Sequence, residues 1–399
     1  MAEINDFVAL DLGASTTRTT SANGKIYEIP NDMVFVQEST VVDLTPYENG
    51  DDKHDKFISS MDITIRKISG GACEHFPCRV LVGEIAERYS PVYERPSVLK
   101  NKSQQRINYV SAIVAAAHQK IVAGNSDRVD LYIALPPVEI GYSKYKVADK
   151  LTGKFEVVLN KCGKQTVILD IASVTCVEES FMALVSFFFD MNGRKTPMAD
   201  KYGDGYILSL DIGASTTDVC IVKNMRYVEK SGQTIKTGVN VIQANISNVV
   251  RGEYGYDPTQ EVLETITETG RMMVGNTYVD MSQHLHTAKM EFAKTVIEQL
   301  QSYFRLTNIP LQTVRAIVVS GGGSIESGYK NEEGSFVSTC KSVSHYVSSD
   351  LKDTVPGIDI VCVEVEPRWA NIKGVFIRAS MINAKKRKEA MQAAGVMNV

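Results

Sequence analysis

The 399-residue chain is short of several features that would have pointed to a class at once. Its seven cysteines are odd in number and scattered. Cys73 and Cys78 are not matched by a second pair at zinc-ligand spacing, so neither a disulfide framework nor a zinc site is expected, and a reduced, cytoplasmic compartment is the simplest expectation. Histidines are few, and His284 and His286 stand two positions apart, which keeps them off a common helix face. No Ser-His-Asp order or Cys-His pairing stands out. No apolar run approaches the ~20 residues of a membrane span, and Met1 to Asp6 has neither the basic stretch nor the apolar core of a secretory signal. The net charge of −4 gives no basic bias, so direct binding to nucleic acid is not expected.

What the chain does have is a repeat, which constrains the whole fold. Asp11-Leu12-Gly13-Ala14-Ser15-Thr16-Thr17-Arg18 follows the apolar run Phe7 to Leu10. Asp211-Ile212-Gly213-Ala214-Ser215-Thr216-Thr217-Asp218 follows Tyr206 to Leu210. Six of the eight positions are identical, and the copies lie 200 positions apart, one early in each half. Each apolar run reads as a buried strand. Gly13 and Gly213 permit a tight turn with close backbone approach. Consecutive N–H groups at such a turn cradle an anion. Ser15, Thr16 and Thr17, with Ser215, Thr216 and Thr217, add hydroxyl donors for phosphate oxygens. Asp11 and Asp211, at the strand ends, suit a magnesium ion held through its water shell. Two such loops facing each other would clamp a triphosphate.

The rest of the chain alternates strand and helix patterns, as in α/β halves. Length and a 44% hydrophobic composition suggest two domains. Expected strands include 25–29, 130–135, 155–159, 166–171, 314–319 and 358–363. A helix is expected over 101–124, closed by Gly124, and an apolar helix is expected from Glu178 to Phe189. Residues 191–205 read as a linker. Asp257 is expected to cap a helix that Gly270 ends, with Gln260 completing a capping box. A long helix is expected around 282–307, and a last one opens at Pro367. Residues 43–75 look like a surface subdomain or long loop, and Lys385 to Lys388 like a solvated helix end. Glu178 and Glu179 sit in a first helical turn, where the dipole alone favours carboxylates. Ser320-Gly321-Gly322-Gly323-Ser324, after a strand, is a third glycine-rich turn. Beside the other two, it suits close approach to a sugar and base.

Together these motifs resemble the actin/Hsp70/sugar-kinase ATPase superfamily over nearly the whole chain. The repeated loops match its two phosphate motifs, and Val318 to Ser324 matches its adenosine motif. The helix at 106–123 and Ala370 to Gly374 stand where its connecting motifs belong. Val177 to Ala183 is similar to the Glu-Ser-x-x-Ala segment of the bacterial plasmid-segregation actins of the ParM type, and Gly238-Val239-Asn240 resembles their Gly-Val-Ser. The resemblance implies a fold of two actin-like (ribonuclease H-like) α/β domains with a nucleotide cleft between them. The first is expected over 1–190 and the second over 206–364, with 365–399 a helix returning to the first. It implies Glu179 as the residue that orients the attacking water, and Mg-ATP as ligand. It also implies nucleotide contacts from Gly238, Asn240 and, on the helix flanking the adenosine, Glu291 and Lys294. Its further implications are head-to-tail filaments, a DNA-binding adaptor of the ParR kind and segregation of a plasmid. A small-molecule kinase would need a substrate pocket with a carboxylate base that is not identifiable. A chaperone would need a peptide-binding domain. A non-hydrolysing scaffold is disfavoured by an intact Glu179.

Overall fold

The computed structural model describes residues 5–43, 60–71, 74–90, 94–97, 101–160, 165–352, 357–363 and 366–393. The chain forms two compact units, one of Met1–Arg194 with Asn371–Val399, the other of Lys195–Ala370.

The first unit begins with β1 (Asp6–Leu12), β2 (Thr16–Ser21), β3 (Tyr27–Pro30), β4 (Met33–Val36), β5 (Ser60–Ser69), β6 (Cys78–Gly83) and α1 (Glu84–Tyr89). It continues with α2 (Arg106–Ala123), β7 (Arg128–Leu135), α3 (Pro137–Leu151), β8 (Gly153–Leu159), β9 (Gln165–Glu178) and α4 (Glu179–Phe188). Its nine strands make one sheet in the order β3-β2-β1-β7-β9-β8-β5-β6-β4. β1 is antiparallel to β2 and parallel to β7, which is in turn parallel to β9. Parallel neighbours need a crossover, and α2 and α3 supply it. β1 and β7 are buried along nearly their whole length, which is why their sequences are continuous apolar runs rather than alternating ones.

The second unit contains α5 (Pro197–Tyr202), β10 (Tyr206–Ile212), β11 (Thr217–Lys223), β12 (Arg226–Tyr227), β13 (Gln233–Ile235), α6 (Val239–Tyr254) and α7 (Gln260–Thr269). There follow β14 (Arg271–Val274), β15 (Thr277–Asp280), α8 (Ser282–Thr307), β16 (Val314–Ser320), β17 (Ser327–Lys330), β18 (Phe336–Cys340), α9 (Val343–Lys352) and β19 (Asp359–Cys362). The main sheet runs β12-β11-β10-β16-β19, with β10 antiparallel to β11 and parallel to β16. Its order and strand directions repeat those of β3-β2-β1-β7-β9. The sequence repeat is therefore a repeat of fold, and the first unit adds four strands to it. On α8, Phe292, Val296, Leu300 and Tyr303 are buried, as their spacing predicts. The last helix, α10 (Ala370–Ala393), belongs to the first unit from Asn371 onward.

Several expectations need correction. Residues 43–75 are not all loop, because β5 occupies 60–69 and buries Met61, Ile63 and Ile65 in the core. The acidic and basic run 51–56, with the rest of 44–59 and residues 72–73, lies outside the described residues. The linker at 191–205 contains α5, capped by the Thr196 hydroxyl, which accepts from the Ala199 N–H at 3.3 Å. α7 is capped by Thr259 rather than Asp257, and Asp257 instead pairs with Arg251. The strand expected at 166–171 runs on to Glu178 as β9. The 101–124 helix begins at Arg106, after a 3-10 turn over Lys102–Gln104.

The basic cluster at 385–388 is solvated, yet Lys386 is not idle. Its ammonium donates at 2.9 Å to Asp130, a buried carboxylate on β7 that also accepts from Asn5 and Ser173. Burial pushes the Asp130 carboxyl up, but the bonds from Lys386, Asn5 and Ser173 together outweigh it and hold the group below the usual carboxylate range. A carboxylate with a depressed folded pKa adds stability above its unfolded value, about 3.9, and loses it as pH falls through the folded value. Lys386→Met is expected to lower the unfolding free energy at pH 7 by about 1–3 kcal/mol, since a charged hydrogen bond to a buried group is lost. Urea unfolding should show the difference from the unaltered chain shrinking as pH falls below the ordinary carboxylate value, about 3.9, toward the depressed folded value of Asp130.

Candidate functional site

In the first unit the parallel strands β1, β7 and β9 end together. The registers Asp11 to Ala134, Ala134 to Val177 and Leu135 to Glu178 set the carboxyl ends of all three at one edge. Open α/β sheets place ligands at such an edge. The β1–β2 turn closes there through a bond from the Gly13 N–H to the Thr16 carbonyl at 3.0 Å. None of the described residues accepts a hydrogen bond from the N–H groups of Ala14 and Ser15, and the Ser15 side chain is exposed. Open consecutive N–H groups of this kind are the parts from which an anion cradle is built.

Thr17 is a different matter. It is fully buried, and its hydroxyl donates to the Asn31 side-chain oxygen at 2.9 Å. A hydroxyl has one proton to donate, so Thr17 braces the loop and is not a phosphate donor as expected. Asn31 is the hub of this brace. It accepts from Thr17 and Ser111, donates its amide to the Gly13 carbonyl at 2.7 Å, and donates its backbone N–H to the Ser15 carbonyl at 2.9 Å. The sequence reading missed it; an Asn after the Ile-Pro that ends β3 carries no signal of contacts made across the fold.

Glu179 opens α4 at the same edge and is buried. Its carboxylate is ion-paired with the Lys102 ammonium. Glu178 is the residue before the helix, and its carboxylate takes the Ser180 hydroxyl. Of the two, Glu179 is therefore the one presented by the helix start. Asp11 lies opposite Arg18 in the hairpin register, and the guanidinium is 3.5 Å from its carboxylate. Arg18 also reaches Glu28 at 2.7 Å.

In the second unit the same hairpin closes through the Gly213 N–H to the Thr216 carbonyl at 2.8 Å. The N–H groups of Ala214 and Ser215 likewise find no acceptor among the described residues. Thr217 is fully buried and donates to the Thr237 carbonyl at 2.7 Å, so it too is a brace rather than a ligand. The loop is held by the start of α6. The backbone N–H groups of Val239 and Asn240 donate to the Gly213 and Ala214 carbonyls at 3.1 and 2.8 Å. Gly238 lies so close that a Cβ there would stand 2.6 Å from the Ser215 nitrogen. Gly238 and Asn240 thus act through their backbones, as the loop's support.

The register Asp211 to Ser320 brings the third glycine turn beside the second loop, and the Ser320 hydroxyl donates to Asp211 at 2.9 Å. Gly321 adopts φ +86°, and a Cβ would meet the Ile212 carbonyl at 2.4 Å. Gly323 packs against Ile212 and Val239, whereas Gly322 faces open space. The turn is a three-residue 3-10 helix and offers no helix start for a phosphate. Glu291 and Lys294 are exposed on α8, and Glu291 is joined to Asn245 of α6 at 3.3 Å rather than to the glycine turn.

The eighth position of the repeat separates the two loops chemically. Arg18 balances Asp11, whereas the residue opposite Asp211 is Asp218, which accepts from the Thr234 hydroxyl. Both carboxylates of this cross-strand pair are buried. Like charges directly opposite are unfavourable, so a cation that takes oxygen ligands fits the Asp211 side better than the Asp11 side. Among the described residues no three metal-ligating side chains converge.

The two like-ordered sheets, each with this hairpin at its carboxyl edge, define the actin-like α/β fold. The expected resemblance holds at the level of fold. Residues 209–330 match the family model of the archaeal actin homologue MreB-like, C-terminal domain. The actin-like protein Alp7A is similar at 17% identity and TM-score 0.70, over 97% of this chain and 98% of that one. The ParM subunit of a 15-stranded filament from Clostridium botulinum is similar at 16% and 0.66, over 95% and 100%. Bacillus thuringiensis ParM with ATP is similar at 14% and 0.65, over 96% and 100%. No curated protein matches by sequence.

Asn31→Ala would leave the buried Thr17 and Ser111 hydroxyls without their acceptor and the first loop without its brace. The expected cost is about 2–4 kcal/mol, from one to two unsatisfied buried donors. Chemical unfolding measures it, and a loss below about 0.5 kcal/mol would show that the loop does not depend on Asn31.

Proposed function

We propose that the chain is a filament-forming actin-like ATPase that uses Mg-ATP. The observation that carries this reading is the hairpin built twice, each copy at the carboxyl edge of a like-ordered sheet with open N–H groups at its tip. Phosphoryl transfer asks a protein mainly for positioning and charge stabilisation, and these loops are made of such parts. In this reading Ala14 to Thr16 and Ala214 to Thr216 hold the phosphates, and Gly321 to Gly323 admit the sugar and base. Asp211 would hold Mg²⁺ through water, with Asp11 the weaker partner. The ion, when bound, supplies neutralising charge at the phosphates. Glu179 orients the attacking water. ParM of Bacillus thuringiensis has been seen with ATP and that of Clostridium botulinum as a filament, which supports nucleotide use and self-assembly here. The likeness to ParM also motivates a ParR-type adaptor and DNA segregation as cargo, with no direct nucleic-acid contact. Among the described residues no helix is long and apolar enough to cross a membrane.

A heterologous head-to-tail contact that does not close yields an open filament. A γ-phosphate held by such a loop would favour one conformation, and its release would remove that preference. ATP should therefore promote filaments and hydrolysis should destabilise them. Sedimentation and electron microscopy with ATP, ADP and a non-hydrolysable analogue test this. Equal, equally long-lived polymer in all three, or none in any, would remove the switch and favour a scaffold or a kinase.

Two substitutions separate the roles. Asp211→Ala is expected to abolish phosphate release and weaken Mg²⁺-dependent ATP binding. Turnover equal to the unaltered chain at saturating Mg-ATP would sink the metal assignment. Glu179→Ala should bind ATP and polymerise, but hydrolyse about 10²–10⁴-fold more slowly, the usual loss for a general base or orienter. Filaments that disassemble as fast as those of the unaltered chain would exclude Glu179 from that role.

A further inference from the structure

Lys102, which no motif singles out, sits on an unusually complete mount. Glu139, buried on α3, accepts the backbone N–H of Lys102 at 2.7 Å with one carboxylate oxygen and that of Ser103 at 2.9 Å with the other. The Lys102 carbonyl accepts from the Asn108 amide at 2.9 Å, and the Ser103 carbonyl accepts from the Tyr109 hydroxyl. The Ser103 hydroxyl donates to Ser143 at 2.8 Å. Both N–H groups and both carbonyls of the dipeptide are thus fixed by side chains of α2 and α3. Leu12 and Leu135, at the ends of β1 and β7, line one small cavity with Lys102 and Ser103. The mount therefore lies at the same edge as the first loop. From it the Lys102 side chain reaches the Glu179 carboxylate.

We propose that Lys102 is a positioning residue for hydrolysis. Its ammonium holds the Glu179 carboxylate in one orientation, and Glu139 fixes the backbone from which the ammonium acts. This rests on the ATPase reading above and deepens it. The alternative, a latch that must release Glu179 before turnover, would be expected on a segment able to move. A dipeptide with all four backbone groups bonded, two of them to a buried carboxylate, is the opposite. Hydrogen bonds to an ionised acceptor are the strong ones. Misplacement of a reacting group by about 1 Å costs on the order of 10²-fold, which sets the scale of the effect.

The test is phosphate release by the full chain with Mg-ATP, alongside ATP binding. Variants are Lys102→Met, Lys102→Arg, Glu139→Gln, Glu179→Ala and the double variant Lys102→Met with Glu179→Ala. Lys102→Met is expected to lower kcat about 10- to 100-fold with ATP affinity within about twofold of the unaltered chain. Lys102→Arg, which keeps the cation, should recover most of the rate, and Glu139→Gln should lower kcat in the same sense. In the Glu179→Ala background, Lys102→Met should cost nothing further, because residues acting as one unit are non-additive. Full activity of Lys102→Met, a faster rate, a loss confined to ATP affinity, or an equal further loss in the Glu179→Ala background would each overturn the inference while leaving the ATPase reading intact. If Lys102→Met fails to fold, the Lys102→Arg and Glu139→Gln rates decide, and unchanged kcat in Glu139→Gln counts against the mount. An unaltered chain that releases no phosphate from ATP or GTP would overturn the ATPase reading, and this inference with it.

Discussion

Both candidate loops depend on one backbone bond, from the glycine N–H at the strand end to the threonine carbonyl three residues on. That bond closes the turn and so fixes the register of the hairpin behind it. Given the register, the aspartate at the strand end must stand opposite the eighth residue of the repeat, Arg18 in one unit and Asp218 in the other. It also turns the fifth and sixth residues toward the tip and the seventh inward. The buried Thr17 and Thr217 follow from this, and their hydroxyls are spent on holding the turn. The same side-chain type at adjacent positions, Thr16 and Thr17 or Thr216 and Thr217, thereby meets two different environments.

The parts of the fold that were legible in the sequence are those set by local rules. β10 reads as a buried strand because its residues are apolar without alternation, and α8 shows a regular buried face over seven turns. Gly124 and Gly270 end α2 and α7 in the left-handed conformation that only glycine adopts cheaply. β5 was hidden because Asp62, Thr64 and Arg66 interrupt its apolar residues amid a polar stretch. Asp62 is tolerated in the core because Arg79 clasps it with two donors, at 2.9 and 2.6 Å, from the neighbouring strand. α5 was hidden by its own cap, since Thr196-Pro197 reads equally as a turn and as a helix start.

The candidate site divides in the same way. The two loops and the glycine turn were legible because backbone conformation dictates their residue types. Their supports were not, because each is set by contacts between distant positions. Asn31 reaches Gly13 across 18 residues and Ser111 across 80, and Glu139 reaches Lys102 across 37. No periodicity or spacing encodes such pairings. Glu291 and Lys294 were named on weaker grounds. A loose likeness placed them at the adenosine; both are exposed on α8, and Glu291 is joined to Asn245.

The two loops share a sequence and differ in what holds them, and the difference bears on what each can bind. The second is braced by backbone groups of α6, with Gly238 leaving no room for a side chain between. A backbone brace on a 16-residue helix allows little adjustment. Beside it lie two buried carboxylates, Asp211 and Asp218, opposite each other in the hairpin register. The first loop is braced by one side chain, Asn31, and its aspartate is already balanced by Arg18. Phosphate oxygens can meet its open N–H groups without prior compensation of charge. The repeat has thus diverged in the charge that faces each strand-end aspartate, a guanidinium in the first unit and a second carboxylate in the second.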